Sequence, residues 1–294
     1  GRLLREGPFK EIWIQPAAGD AGGAVGGALA VWHQHLGKSR PNRKQDTMQG
    51  SYLGPRFADS AVRGFLEENK IPFHHYADEK QLLTYVAGAL AERKVAGWFQ
   101  GRMEFGPRSL GARSILGDSR SPQMQSQINL KIKYRESFRP FAPAVLYEKV
   151  GDYFESEAPS PYMLQVSSVV PKRRLASSHA SDLWGIDLLN VPRSDIPAVT
   201  HLDYSARIQT VHSETNPRFH ALLEEFEKQT GYAVLVNTSF NLRGEPIVCS
   251  PQDAYRCFMR TSLDFLVLEN FVLSKEEQPA WNEKGDWRKD FALD

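Results

Sequence analysis

Three guanidiniums crowd one short stretch of this chain: in GRMEFGPRSLGARSI (101–115), Arg102, Arg108 and Arg113 stand among three glycines and a proline. A solvated helix face would carry Glu and Lys at helical spacing, and a nucleic-acid arm would be longer and less apolar. The pattern points to a rigid pocket for a small, highly charged anion. Arg forks offer paired donors that match phosphate or carboxylate oxygens, and Lys adds a mobile point charge. Three more segments set compact polar groups beside apolar runs. KIKYRESFRPFAP (131–143) separates Lys131, Lys133, Arg135 and Arg139 with Ile, Tyr and Phe. DYSARIQTV (203–211) puts Arg207 at the mouth of a strand, and VNTSFNLRGEP (236–246) puts Thr238, Ser239 and Asn241 just past a strand end. Ligands of open α/β sheets sit at the carboxyl ends of strands, and hydroxyl and amide side chains can read the neutral part of a ligand. Each segment alone has a plainer reading: a surface ion pair, a basic face over packed aromatics, or a turn that bonds its own backbone.

The glycines of GDAGGAVGGA (19–28) allow close backbone approach, and the helix start behind them favours anions. No Lys follows as in a phosphate loop, and the spacing fails as a dinucleotide fingerprint. Asp20 either N-caps that helix or binds a metal. His33 and His35 are two apart and face different ways on a helix, and His74-His75 reads as structural. His201 and Asp203 have no identifiable nucleophile partner, and no GxSxG elbow is present.

The elements that must position these groups read as a mixed α/β pattern: a mixed twisted sheet with flanking helices. EIWIQP (11–16) reads as a strand, and 19–37 as a glycine-rich turn and helix ended by Gly37. Residues 39–55 form the best boundary or linker. Helical periodicity marks 60–70 and 78–94, with VAGWFQ (95–100) a strand behind them. Ser121-Pro122 is an N-cap and first helical position for a helix toward Ile132. Residues 143–150 and 162–170 are strand-like, and 171–200 is an irregular loop or lid. ARIQTVH is another strand. Asn216-Pro217 opens a helix with Phe219, Leu222, Leu223 and Phe226 on one face. YAVLVNTSF is a buried strand, and 263–275 a final one.

At 294 residues, 41% hydrophobic and 24% charged, the chain is ordinary globular material with one large or two modest domains. A net charge of +1 gives no global field for nucleic acid or anionic membrane. Cys249 and Cys257 make no CxxC or zinc set and read as small core residues of a reducing compartment. No apolar run reaches the ~20 residues of a membrane span, and the N-terminal stretch lacks a secretory apolar region. Cytoplasm is the default.

Taken together, these segments resemble the O-carbamoyltransferases of the nodulation-factor and antibiotic-tailoring type. GRLLREGPFKEIWIQPAAGDAGGAVGGAL (1–29) is similar to the end of that family's actin-like, ATP-binding domain. SYLGP, GRMEFGPRSLGARSILGD, KYRESFRPFAPAVL, DYSARIQTV and NTSFNLRGEPIV are similar to its C-terminal domain, which itself resembles threonylcarbamoyl-adenylate synthases with their K-x-R and S-x-N pairs. The resemblance implies an actin-like remnant over 1–45, a carbamoyltransferase C-terminal domain over 46–275 and a tail over 276–294. It implies catalytic roles for Lys133, Arg135, Ser239 and Asn241. Arg102, Arg139 and Arg207, with Thr238, would surround carbamoyl phosphate and an adenylate phosphate. Arg108 and Arg113 would either join them or brace the loop. Gly19, Gly22 and Gly23 would approach the nucleotide, and Asp20 would bind a divalent metal, Fe2+ or Mg2+.

The implied route cleaves carbamoyl phosphate to carbamate, which ATP converts to carbamoyl adenylate and pyrophosphate. The carbamoyl group then passes to a hydroxyl of a small-molecule acceptor. Such chemistry needs fixed positive charge around the phosphoryl groups and exclusion of water. Family members begin with several hundred more residues of the actin-like domain, including metal-binding histidines. The resemblance therefore implies a missing N-terminal half as covalent or separate partner, holding the acceptor site. Adenylate formation would survive in this chain and transfer would not. The rivals are a docking or binding subunit without catalysis, and a double-stranded-RNA module of the related fold. Near-neutral charge argues against the RNA module, because phosphate neutralisation supplies most non-specific affinity.

Overall fold

The apolar run at 233–236 is fully buried, and the sheet assembles around it. A computed structural model describes residues 1–10, 12–40, 46–156, 158–175, 184, 185, 189, 191–281 and 283. Among these, nine strands form one mixed sheet: β1 (His74–His75), β2 (Ala96–Phe99), β3 (Arg113–Asp118), β4 (Ala142–Leu146), β5 (Gln165–Ser168), β6 (Ser205–Val211), β7 (Val234–Ser239), β8 (Phe265–Leu268) and β9 (Phe271–Ser274). Their order is β1-β9-β8-β2-β3-β7-β4-β6-β5. Only β2–β8 and β4–β6 are parallel pairs; the rest are antiparallel. The mixed α/β expectation is met.

The helices are α1 (Arg2–Glu6), α2 (Asp20–Ala30), α3 (Asp59–Glu68), α4 (Glu79–Ala91), α5 (Met124–Lys131), α6 (Val150–Tyr153), α7 (Pro217–Thr230) and α8 (Pro251–Met259). Local chemistry accounts for their ends. Asn216 caps α7 by accepting from the Phe219 amide at 3.1 Å, Pro217 follows, and Gly231 ends the helix at φ +80. Ser250 and Asp253 cap α8 reciprocally. The apolar face of α7 (Phe219, Leu222, Leu223, Phe226) is wholly buried, and α7 packs against α4.

Several expected elements differ. Residues 12–15 are not a strand: the stretch finds no pairing neighbour, and Trp13 is 69% exposed. The end of the glycine-rich 101–115 stretch, where no strand is expected, runs into β3, a fully buried strand over 113–118 at the centre of the sheet. The 263–275 segment is two strands, because Glu269 adopts φ +50 and turns the chain at Glu269-Asn270. α5 starts at Met124 with Gln123 as its cap residue, and Ser121 makes no capping bond. The 143–150 strand stops at Leu146, where a short 3₁₀ turn begins, and the 162–170 strand covers only 165–168. Parts of the expected linker (41–45), lid (176–183, 186–188, 190) and tail (282, 284–294) lie outside the described residues. Cys257 is in the core, while Cys249 is exposed. No helix among the described residues is long and apolar enough to cross a membrane.

The loop entering β3 is held tightly. Gly111 sits at φ +103, and a Cβ there would lie 2.2 Å from the ring of buried Phe219. Gly111→Ala therefore combines backbone strain with overpacking, and we expect it to lower stability by about 3 kcal/mol. Urea unfolding, read as a shift in midpoint at unchanged slope, checks this.

Candidate functional site

β7 ends at Ser239, where its neighbours β3 and β4 begin, so three loops meet at one rim of the sheet. Lys133 reaches this rim from just beyond α5. It is 3% exposed, and its Nζ donates to Asn241 Oδ1 at 2.7 Å, Asn241 O at 3.0 Å, Ser239 Oγ at 3.2 Å and Ser239 O. Ser239 Oγ in turn donates to Asn241 Oδ1 at 2.7 Å. The K-x-R lysine and the S-x-N pair thus form one cluster. Burial pushes the Lys133 pKa from 10.5 down to about 7, and the Arg135 charge adds to that shift.

Beside this cluster lies a cavity of about 140 Å³, lined by Arg108, Arg135 and Arg207 together with Ser109, Asn237, Thr238 and Ser239. No carboxylate lines it among the described residues. Arg135 is oriented by Asn129, whose Oδ1 accepts from Nε at 2.7 Å, and by the Phe141 ring, 5.2 Å from its guanidinium. Burial lowers the Arg135 pKa to about 10, with the Arg139 charge acting in the same sense. Arg207 is lowered by burial and then by Arg108, so two like charges face one another without an acid between them. Three buried polar atoms of the lining have no partner: Arg207 Nε, Ser109 Oγ and Asn237 Oδ1. Buried polar groups are ordinarily satisfied, so these orphans leave hydrogen-bonding capacity unused in the cavity wall, as Glu104 Oε2 and Arg113 Nε do elsewhere.

The remaining predicted residues lie elsewhere. Arg102 does not line this cavity; it borders a larger one of about 950 Å³ with Arg56 and Arg218, and donates to Gly54 O at 3.0 Å. Arg139 is half-exposed and pairs with Glu136 at 3.0 Å. Arg113 is fully buried, with its guanidinium 3.5 Å from the Phe99 ring centre and its Nη1 and Nη2 donors spent on the carbonyls of Gln100, Gly101, Ala112 and Pro55. It is a brace. Gly19 and Asp20 are exposed at the start of α2, and Gly22 packs in the preceding turn, where a Cβ would meet Ala17 O at 2.4 Å. Gly23 faces open space. Asp20 stands in no cluster of three ligand side chains among the described residues, so these residues do not by themselves make a metal site. Ser205 lies near His201 but donates to Asp203 at 2.6 Å, the wrong order for a hydrolytic triad.

Sequence reasoning missed four positioning residues. Asn129 also donates to the carbonyls of Ser137 and Arg139, closing the 131–139 loop. Buried Glu104 accepts from the amides of Leu110, Ala112 and Arg113, shaping the loop that carries Arg108. Ser109 and Asn237 line the cavity itself. Asn237 had a signal, since it begins NTSFN; the others are single polar residues whose partners are distant in sequence or in the backbone.

A family model described as the carbamoyltransferase C-terminus matches residues 87–275, and one described as the carbamoyltransferase N-terminus matches residues 1–29. The chain belongs to the carbamoyltransferase family. It is 62% identical to the uncharacterized protein sll1178 of Synechocystis, over 100% of this chain and 48% of that one. It is 39% identical to nodulation protein NolNO of Sinorhizobium fredii, over 94% of this chain and 38% of the relative, and 34% identical to nodulation protein U of the same organism, over 82% and 37%. The chain thus spans half or less of the length of these relatives.

The Lys133 shift has a defined pH consequence. Between about 7 and 10.5 the unfolded chain holds a proton that the folded one has released, so stability rises with pH across that window. The limit for one proton is about 1.4 kcal/mol per pH unit. The stability difference between the wild type and Lys133→Met, measured by urea unfolding, is expected to move in favour of the wild type from pH 7 to 10. A flat difference would count against the lowered pKa.

Proposed function

We propose that this chain is the adenylate-forming portion of an O-carbamoyltransferase: it takes carbamoyl phosphate and ATP, and forms carbamoyl adenylate for transfer to a hydroxyl of a small-molecule acceptor. The observation that carries this reading is the 140 Å³ cavity with three guanidiniums, unpartnered buried polar atoms and no lining carboxylate among the described residues. Its size suits a small phosphoryl compound, while the adenosine of a nucleotide has to lie outside it.

In this reading Arg108, Arg135 and Arg207 hold phosphoryl oxygens, first of carbamoyl phosphate and then of the adenylate. Water splits carbamoyl phosphate into carbamate and phosphate. A carbamate oxygen then attacks the α-phosphorus of ATP, and pyrophosphate leaves. Fixed guanidiniums stabilise the charge that develops on the phosphoryl oxygens without reorganising. Lys133 holds the Ser239–Asn241 turn, so that the Thr238 and Ser239 hydroxyls face the cavity at a set distance from Arg135. Arg139 acts at the approaches, on nucleotide groups beyond the cavity, while Arg102 borders the separate cavity of about 950 Å³. Gly19, Gly22 and Gly23 bring backbone near a nucleotide bound with the N-terminal half, and Asp20 contributes one ligand to a divalent metal, Fe2+ or Mg2+, whose other ligands come from that half.

Residues 1–45 are then the docking face for that half, within the same polypeptide or supplied by another. Supporting this, Trp13, Leu29, Val31, Trp32 and Leu36 are all exposed. A row of bare apolar side chains of this kind is costly in water and asks for a cover.

Pyrophosphate release from ATP and carbamoyl phosphate tests the reading directly. We expect turnover by the chain, reduced about 10²–10³-fold in Arg207→Ala, a size typical of losing one preorganised charge at a reacting group. Lys133→Ala and Ser239→Ala are expected to abolish it. Absence of release from the wild type, with phosphate binding intact, would leave only a binding role.

A further inference from the structure

A second group of ligand-type side chains lies away from the anion cavity. β4 opens at Ala142 in the cavity wall and closes at Leu146, so the 3₁₀ turn Tyr147–Lys149 stands at the far end of that strand. There Glu148 meets His220 and Glu224, which lie one helical turn apart on the same side of α7. Ligand atoms of the three side chains all lie within 4.8 Å of one another.

The hydrogen bonding at His220 decides what this group can do. The residue is 9% exposed, whereas both glutamates are half-exposed. Its Nε2 lies 2.7 Å from Glu148 Oε1. An ionised carboxylate only accepts, so Nε2 carries the proton. In the neutral ring Nδ1 is then a bare lone pair, and it has no hydrogen bond among the described residues. It faces Glu224 Oε2 at 3.8 Å. That gap is too long for a hydrogen bond, so a second ring proton would gain little there. Two acceptors confront one another instead. Lys149, next in the chain to Glu148, does not relieve them, because it reaches Glu227 at 3.2 Å. His212 is close by, but its Nε2 bonds Thr210 at 2.9 Å and its ring stacks on Tyr147.

A metal cation fits between the two acceptors. Zinc bonds of about 2.0–2.1 Å put tetrahedral ligand atoms about 3.4 Å apart, so the mobile Glu224 carboxylate has to close by less than about 0.5 Å. Glu148 stands where a carboxylate commonly holds the far nitrogen of a metal-bound imidazole, fixing its tautomer and direction. We infer that His220 Nδ1 and Glu224 bind a divalent transition metal of the zinc type, with Glu148 as the positioning residue behind the ring and water completing the coordination. The cation pins α7 to the turn that follows β4. An imidazole nitrogen in the set favours zinc over magnesium or calcium, which prefer oxygen ligands. This site is separate from Asp20 in α2 and is independent of the adenylate reading.

The probe is Zn2+, added to the full chain after dialysis against a chelator, with binding read by calorimetry and stability by urea unfolding. Zinc at a hundred times its dissociation constant is expected to shift the unfolding equilibrium about 100-fold toward the folded chain. Glu224→Ala and His220→Gln should each remove the binding and the shift. Glu224 is half-exposed, so its variant keeps the test decisive where His220→Gln fails to fold. Glu148→Ala should weaken zinc binding about 10–100-fold, and Glu148→Gln, which keeps an acceptor for Nε2–H, should restore most of it. Mg2+ in place of Zn2+ should leave stability unchanged. Absence of zinc binding would overturn the inference and leave a plain His–Glu ion pair. Binding that survives Glu224→Ala, that Mg2+ matches, or that Asp20→Asn removes would overturn it as well.

Discussion

A single buried ammonium ties the site together. Lys133 enters from the loop after α5 and is held by four oxygens of Ser239 and Asn241 at the end of β7. Removing either side leaves a charge or a set of carbonyls stranded in the interior, a defect that costs several kcal/mol. The contact spans more than a hundred residues of sequence, so it fixes two distant loops relative to one another. Arg135, two residues beyond Lys133, reaches the cavity only because this anchor sets where its loop begins. Desolvation of the same amine disfavours its charged form and lowers its pKa to about 7, so the hydrogen bonds hold it against a cost of burial.

Guanidiniums do two different jobs in this chain, and their partners tell them apart. Arg113 spends the donors of Nη1 and Nη2 on backbone carbonyls and stacks on Phe99, leaving only a buried Nε without a partner, and it lines neither the small nor the large cavity. Arg207 lines the small cavity, keeps a buried Nε without a partner, and has its pKa lowered by burial and then by the Arg108 charge. Such an arrangement is unfavourable when empty, and an anion relieves it. Glu104, by collecting three amides of the 110–113 backbone, fixes the segment that follows the exposed Arg108. Preorganisation of this kind matters more for phosphoryl chemistry than the number of charges, because the protein must not reorganise as charge moves.

The N-terminal segment follows other rules. α2 has no buried residue, and its Leu29 is exposed together with Trp13, Val31 and Trp32. A helix with this composition, placed against solvent, gains nothing from burial. Its alanines and glycines would let another element approach closely, which accords with a match to the N-terminal family over residues 1–29.

Much of this was already legible in the residues themselves. Periodic helices with local caps, such as α7 with its Asn216-Pro217 start, depend on neighbours within four residues, and the chain determines them alone. The anion-binding character of 101–115, 131–143 and 236–246 was equally readable, because residue type by itself determines which donors are available. Convergence was not. Arg102 and Arg108 sit six residues apart in one motif yet border different cavities, with the positive-φ Gly106 between them. Strand β3 escaped notice because its flanking Arg113 and Asp118 look like surface residues until the sheet buries them. EIWIQP looked like a strand, but a strand exists only through a partner, and pairing is a tertiary event. The cavity wall belongs to the same class: Arg108, Arg135 and Arg207 come from three separate loops and strands, which only the folded chain brings within reach.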